Sequence, residues 1–288
     1  VTSDIEGALA ALAPVYESSQ GVDGFVSVEV DPALARDTER TTADARALHQ
    51  LIDAPNLMVK IPGTSEGLPS IRTLIGEGRS INVTLIFSVP RYVEVVEAYI
   101  SGLEEAVANG IEDLSHIASV ASFFISRTDT EVDRRLQEIG TDQALGLRGK
   151  TAVAQAQVAY QQFLSAFSGA RWEALAAKGA QPQRPLWAST STKNPNYSET
   201  LYVDELIGPH TVNTMPDNTI DSFITSGSVK RSIDADPEAS ELILRKVAEI
   251  GIDLEHVAAV LEEEGVASFV KSFDELIATL TSKADQLL

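Results

Sequence analysis

NLMVKIPGT, Asn56 to Thr64, is the stretch on which the fold turns. Its apolar run has the length of a strand and ends in proline and glycine, yet Lys60 stands in the middle of it. Leu57, Val59 and Ile61 fall on one face of a strand, Met58 and Lys60 on the other. A charge on the second face of a buried strand needs a reason, because lysine is almost never fully buried unless it is paired.

The neighbouring stretches repeat the pattern. GFVSVEVDP sets Val26, Val28 and Val30 against Ser27 and Glu29, and SINVTLIFS sets Ile81, Val83, Leu85 and Phe87 against Asn82 and Thr84. HIASVASFF, which runs into Ile125, Ser126 and Arg127, then RPLWAST (Arg184 to Thr190) and HTVNTMP (His210 to Pro216) bring the strand-like runs to six. Helical spacing fills the intervals: Asp4 to about Ser18, Pro32 to about Ile52, about Leu68 to Ile75, Val89 to about Asn109, Asp129 to Ile139, Asp142 to Phe167 and Arg171 to Lys178. From Asp217 onward the pattern is helical, with expected breaks at Gly227, Gly251 and Gly265.

Strands alternating with helices predict parallel βαβ units. Three strands with polar residues on one face favour a barrel over a doubly wound sheet, whose strands are apolar on both sides. The fold class expected is therefore α/β, a (β/α)8 TIM barrel with only about six of its eight strands present, residues 1–288 forming a single domain. The opening helix argues for an N-terminally incomplete barrel, since a regular one begins with a strand.

Glu29, Lys60, Asn82, Thr84, Ser122 and Arg127 are expected in or just beyond the C-terminal halves of their strands, the end where barrel loops build active sites. Singly, each reads as a solvated edge residue; a shared face and a shared end make them a candidate site. An amine taken into an apolar interior loses hydration, which favours the neutral nucleophile that attacks carbonyls. The protonated imine so formed is an electron sink that permits C–C cleavage without metal or cofactor. Proton transfer and water placement need an acid/base and hydroxyls, for which Glu29 and Thr84 are suitable. Asn82 and Ser122 suit substrate hydroxyls; Arg127, Ser191 and Lys193 suit a phosphate. On spacing alone Lys193 is equally well read as a solvated loop residue.

Composition narrows the rest. A formal net charge of −20, with 22 basic against 42 acidic residues, argues against nucleic acid. The absence of cysteine and the scatter of four histidines (His49, His116, His210, His256) give no metal site and predict no cofactor. With no apolar run of membrane length and no signal-peptide pattern, the expectation is a cytoplasmic protein away from membranes. Oligomeric state has no signature in the sequence.

The quoted motifs, with WASTSTKNPNYS before HTVNTMP, resemble transaldolases of the longer bacterial type over Gly21 to at least Pro216. The resemblance implies a barrel of the class I aldolase kind and a Schiff-base role for Lys60. It pairs Glu29 and Thr84 as water handlers, gives Asn82 and Ser122 to substrate hydroxyls, and gives Arg127, Ser191 and Lys193 to phosphate. Many relatives carry arginine where Lys193 stands. Family members begin with two further βα units, one bearing an acid/base aspartate and the other a Thr-x-Asn-Pro-type motif; the expectation is that these units are lacking here. Sedoheptulose 7-phosphate and glyceraldehyde 3-phosphate are the implied substrates. The alternatives are a fructose 6-phosphate aldolase-like enzyme and an inactive sugar-phosphate-binding barrel fragment.

Overall fold

In a computed structural model describing residues 2–287, α1 (Thr2–Ser18) leads into β1 (Val26–Glu29). A 3-10 turn (Pro32–Leu34), α2 (Thr38–Leu51) and β2 (Leu57–Pro62) follow. Next come α3 (Gly67–Gly76), β3 (Ile81–Ile86), α4 (Val89–Ala108) and β4 (Ser119–Phe124). Four helices, α5 (Ser126–Ile139), α6 (Asp142–Leu145), α7 (Thr151–Ala166) and α8 (Gly169–Ala176), precede β5 (Arg184–Ala188). The remainder is α9 (Leu201–Asp204), β6 (Val212–Asn213), α10 (Asp217–Ser226), α11 (Pro237–Glu249) and α12 (Leu254–Leu287). No described helix is long and apolar enough to cross a membrane.

The six strands form one parallel sheet in the order β1 to β6, each paired with its sequence neighbour. Strand parity sorts the side chains as the alternation in the sequence requires as far as Val83; beyond it Leu85 and Phe87, expected on the face of Ile81 and Val83, lie in the inner core and Ile86 takes the outer one, because the register shifts between Val83 and Ile86. Val59, Ile61, Ile81, Val83 and Phe123, all wholly buried, pack with the helices in the outer core. Burying a Val, Ile or Phe side chain contributes about 1.5–3 kcal/mol, so this face fixes the register. Met58, Val120 and Leu186 belong to a separate inner core, joined by Val257, Leu261 and Phe269 of α12.

The sheet is curled. Arg184, at the start of β5, donates from Nη2 to the Val22 carbonyl at 2.8 Å and to Asp23 Oδ1 at 3.0 Å, just before β1. Four strand spacings in a flat sheet are about 19 Å, which no arginine side chain spans.

Several local expectations are corrected. The helix expected from Pro32 begins at Thr38, because Asp31 closes a 3-10 turn by accepting from Ala33 N–H and Asp37 caps α2 by accepting from Arg40 N–H. The helix expected over 142–167 is two, α6 and α7, interrupted across Gly146–Lys150. The strand expected over 210–216 shrinks to Val212–Asn213, since His210 turns the chain with φ +60° and Pro216 has no N–H to pair. Gly265 is no break: α12 runs through it, and a Cβ there would lie 3.0 Å from Leu85 Cδ2 and 3.5 Å from Phe87 Cζ. The glycine admits close approach of α12 to β3. At that contact Leu85 itself has φ +58°, within a register shift between Val83 and Ile86 that interrupts the pairing of β3 with β4 before it resumes at Ile86 and Phe123.

Candidate active site

Register brings Glu29 of β1 level with Lys60 of β2, and Lys60 level with Asn82 of β3. Lys60 Nζ lies 3.8 Å from Glu29 Oε2, with both side chains 24% exposed. The lysine is thus half-buried and ion-paired rather than lodged in the mostly apolar surroundings expected from the sequence. Loss of water raises the Glu29 carboxyl above its ordinary pKa, and the Lys60 charge opposes that rise without cancelling it. Glu29 Oε1 is buried without a partner. On the other side of the amine, the ring of Phe269 from α12 lies 5.4 Å from Lys60 Nζ, within the range of cation–π attraction.

Asn82 Nδ2 donates to Ser27 Oγ at 3.0 Å, and its Oδ1 accepts from Ser122 Oγ at 2.8 Å. The bond from β3 to β1 passes over β2, which a concave interior permits. Asn82 is the second residue of its strand, not in the C-terminal half as expected. It reaches the level of Lys60 because β2 is staggered against β3, Val59 facing Ile81. Thr84, wholly buried, lies one layer further on, opposite Pro62, with Oγ1 lacking a partner.

Arg127 sits in the first turn of α5, with its guanidinium over the Phe124 ring at 5.1 Å. Burial lowers its pKa, and the charge of Glu264 on α12 opposes that shift. Ser191 and Lys193 belong to the loop after β5, where Lys193 Nζ donates to Ser191 Oγ at 2.7 Å. Ser189 enters this loop with φ +56° and is fixed to the start of α5: Ser126 N–H donates to its carbonyl at 3.0 Å, and the two hydroxyls are 2.9 Å apart. The structure therefore gathers Glu29, Lys60, Asn82, Thr84 and Ser122 inside the sheet and sets Arg127, Ser191 and Lys193 on two adjoining segments at its rim.

Two groups were missed in the sequence. Ser27 shares the polar face of Glu29 and was visible by parity; Phe269 carried no local signal. The helix that brings Phe269 to the site is held by Arg36, whose guanidinium pairs with Glu262 at 2.6 Å and Glu263 at 3.2 Å.

A family profile described as Transaldolase/Fructose-6-phosphate aldolase matches residues 1–280. The chain belongs to this family. It is 54% identical over 275 residues to a transaldolase of Thermobifida fusca, covering 95% of this chain and 74% of that protein. It is 50% identical over 288 residues to the transaldolase of Mycobacterium leprae, covering 99% and 76%, and 52% identical over 279 residues to that of a Parafrankia species, covering 96% and 75%. These matches run through nearly all of the chain and do not bear out the expectation that N-terminal units are lacking. The transaldolase motifs quoted from the sequence, VSVEVD, MVKIPGT, INVTLIF and SVASFFISR, lie on β1 to β4, the strands that carry the Lys60 cluster.

Proposed function

We infer that the chain catalyses transaldolase transfer through a Schiff base on Lys60. The observation that carries this reading is an amine 3.8 Å from a carboxylate, beside two buried oxygens without partners, Glu29 Oε1 and Thr84 Oγ1. A lone lysine–glutamate pair kept for stability would not leave its surroundings with unspent acceptors, because each such atom costs about 1–3 kcal/mol when buried. Bound water satisfies such atoms, which fits the water-handling roles that the resemblance gives Glu29 and Thr84.

Lys60 adds to the ketone carbon of a ketose phosphate, and a proton delivered from the Glu29–water pair turns the carbinolamine hydroxyl into water, which leaves. As the C4 hydroxyl gives up its proton to a base, the protonated imine accepts the electron pair of the C3–C4 bond, and the same proton is returned to the new hydroxyl when the acceptor aldehyde is attacked. An aldose phosphate departs and a dihydroxyacetone unit stays on the lysine as its enamine. Attack of the enamine on an acceptor aldehyde forms the new C–C bond, and hydrolysis returns the amine. Sedoheptulose 7-phosphate as donor and glyceraldehyde 3-phosphate as acceptor give erythrose 4-phosphate and fructose 6-phosphate. Asn82 and Ser122 hold hydroxyls of the bound unit, while Arg127, Ser191 and Lys193 take the phosphate at the far end of the donor and, after cleavage, that of the acceptor. We read residues 1–288 as one domain and its six strands as an arc of a (β/α)8 barrel of the class I aldolase kind. The curl and the polar inner face support that reading.

The family name carries a second activity, fructose-6-phosphate aldolase, so the test must separate transfer from release. Fructose 6-phosphate and erythrose 4-phosphate are expected to yield sedoheptulose 7-phosphate, with little free dihydroxyacetone when the acceptor is omitted. Dihydroxyacetone release matching the transfer rate would assign the aldolase reaction instead.

A further inference from the structure

The segment from Ser189 to Tyr202 carries two of the three residues read as phosphate ligands, yet its only regular structure is the beginning of the four-residue α9. An irregular loop holds a cation in place only if side chains hold the loop. Two tyrosines do so. Tyr197 Oη donates to Asp133 Oδ2 at 2.5 Å, and Tyr202 Oη donates to Asp129 Oδ2 at 2.9 Å.

Both acids belong to α5, the helix that begins beside Arg127, and each uses its second oxygen on the start of α7. Asp133 Oδ1 accepts from Gly149 N–H at 2.9 Å, and Asp129 Oδ1 accepts from Ala152 N–H at 2.7 Å. Each carboxylate therefore joins three segments. Gly149 has φ +69°, and a Cβ on it would come within 2.8 Å of Tyr197 Cζ, so the ring rests directly on this glycine. Asp129 is 1% exposed.

Between the acids and the loop lies a cavity of about 170 Å³ with Lys193 and Asn194 in its wall. Lys193 shares this space with two carboxylates, yet its ammonium is turned to Ser191 Oγ. The tyrosine hydroxyls occupy the carboxylate oxygens that would otherwise draw it in. Arg148, the cation whose charge acts on Asp133, does not line this cavity; it donates from Nη1 to Gln137, and its Nε is buried without a partner.

We propose that Tyr197 and Tyr202, paired with Asp133 and Asp129, are positioning residues that register the Ser191–Lys193 loop against Arg127 and keep the Lys193 ammonium free for the substrate phosphate. Without the Tyr197 hydroxyl, Asp133 Oδ2 loses its donor and Lys193 is the replacement within the same cavity. Captured there, it no longer serves an anion.

This rests on the phosphate reading of Arg127, Ser191 and Lys193, and the test separates the two. Inorganic phosphate binding is measured by calorimetry, and KM and kcat with fructose 6-phosphate by steady-state assay. The proteins are the wild type, Tyr197→Phe, Asp133→Asn and the double variant. Tyr197→Phe keeps the ring on Gly149 and is expected to weaken phosphate binding and raise KM about 2- to 10-fold, the range of one hydrogen bond, with the effect on KM rather than kcat. Adding Asp133→Asn removes the charge that captures Lys193, so the double variant is expected to bind phosphate more tightly than Tyr197→Phe alone. A merely structural bond predicts the opposite order, and that order, or equal phosphate affinity in wild type and Tyr197→Phe, overturns the proposal. If Tyr197→Phe does not fold, Asp133→Asn decides: unchanged phosphate affinity and KM overturn the proposal, and weaker phosphate binding with a higher KM supports it. Phosphate that binds neither the wild type nor any variant removes the site itself and the proposal with it.

Discussion

A carboxylate that has lost most of its water and gained a lysine neighbour is pulled two ways, and in Glu29 desolvation wins. Glu29 gives a proton as the carbinolamine dehydrates and takes one back as the imine is hydrolysed; in that second step it acts as a base and must be ionised, so kcat falls as pH drops through a pKa displaced above its ordinary value. Glu29→Gln keeps the shape and loses the proton acceptor; we expect kcat to fall about 10²- to 10⁴-fold, and the acidic limb of the pH–rate profile to disappear with it. A variant retaining that limb assigns it to another group. Asp129 gives a stability counterpart. Burial first, then repulsion from Asp133, raises its carboxyl from 3.8 to about 6. Between those values the folded state holds a proton that the unfolded state has released, so stability from this group is lost as pH rises from about 4 to about 6. Denaturant melts of Asp129→Asn against wild type are therefore expected to show the variant gaining about 2–3 kcal/mol in relative stability from pH 4 to pH 7; a pH-independent difference contradicts the shift.

At the scale of elements, α12 decides how the site is covered. Gly265 lets the helix meet β3 at Leu85, a non-glycine residue held at φ +58°, and that contact lies one helical turn before Phe269. Gly265→Val is expected to destabilise by about 1–3 kcal/mol through overpacking, seen as a lower Tm, and to depress activity by displacing Phe269 from Lys60. Wild-type kinetics in a correctly folded variant would show that α12 tolerates displacement. Strand β1 and the first half of β3 were legible because valine and isoleucine alternate with polar residues at a period of two, and β2 because a lysine interrupts its apolar run. The run of α12 through Gly265 was not, because only the distant Leu85 explains why glycine stands there. The start of α2 was misread for a local reason: Asp31-Pro32 and Asp37 are both capping signals, and the first closes only a 3-10 turn.

Over the whole molecule, parity foretold which side chains share a face as far as Val83 of β3, but neither the crossover of Leu85 and Phe87 to the inner core nor how far the sheet curls. The reach of Asn82 across β2 to Ser27, and of Arg184 to the segment before β1, follows from curvature that no single strand encodes. Lys60 beside Glu29 was legible, since both stand out from apolar runs, whereas their 3.8 Å approach depended on stagger between strands. The Asp–Tyr pairs behind the phosphate loop lay hidden because acids on a helix ordinarily face solvent. All of these parts converge on one amine, and its chemistry is directly accessible. Incubation with fructose 6-phosphate, borohydride reduction and peptide mass mapping should show one reduced dihydroxyacetone adduct on Lys60, absent from Lys60→Ala; no adduct, or one equally present in Lys60→Ala, contradicts the account.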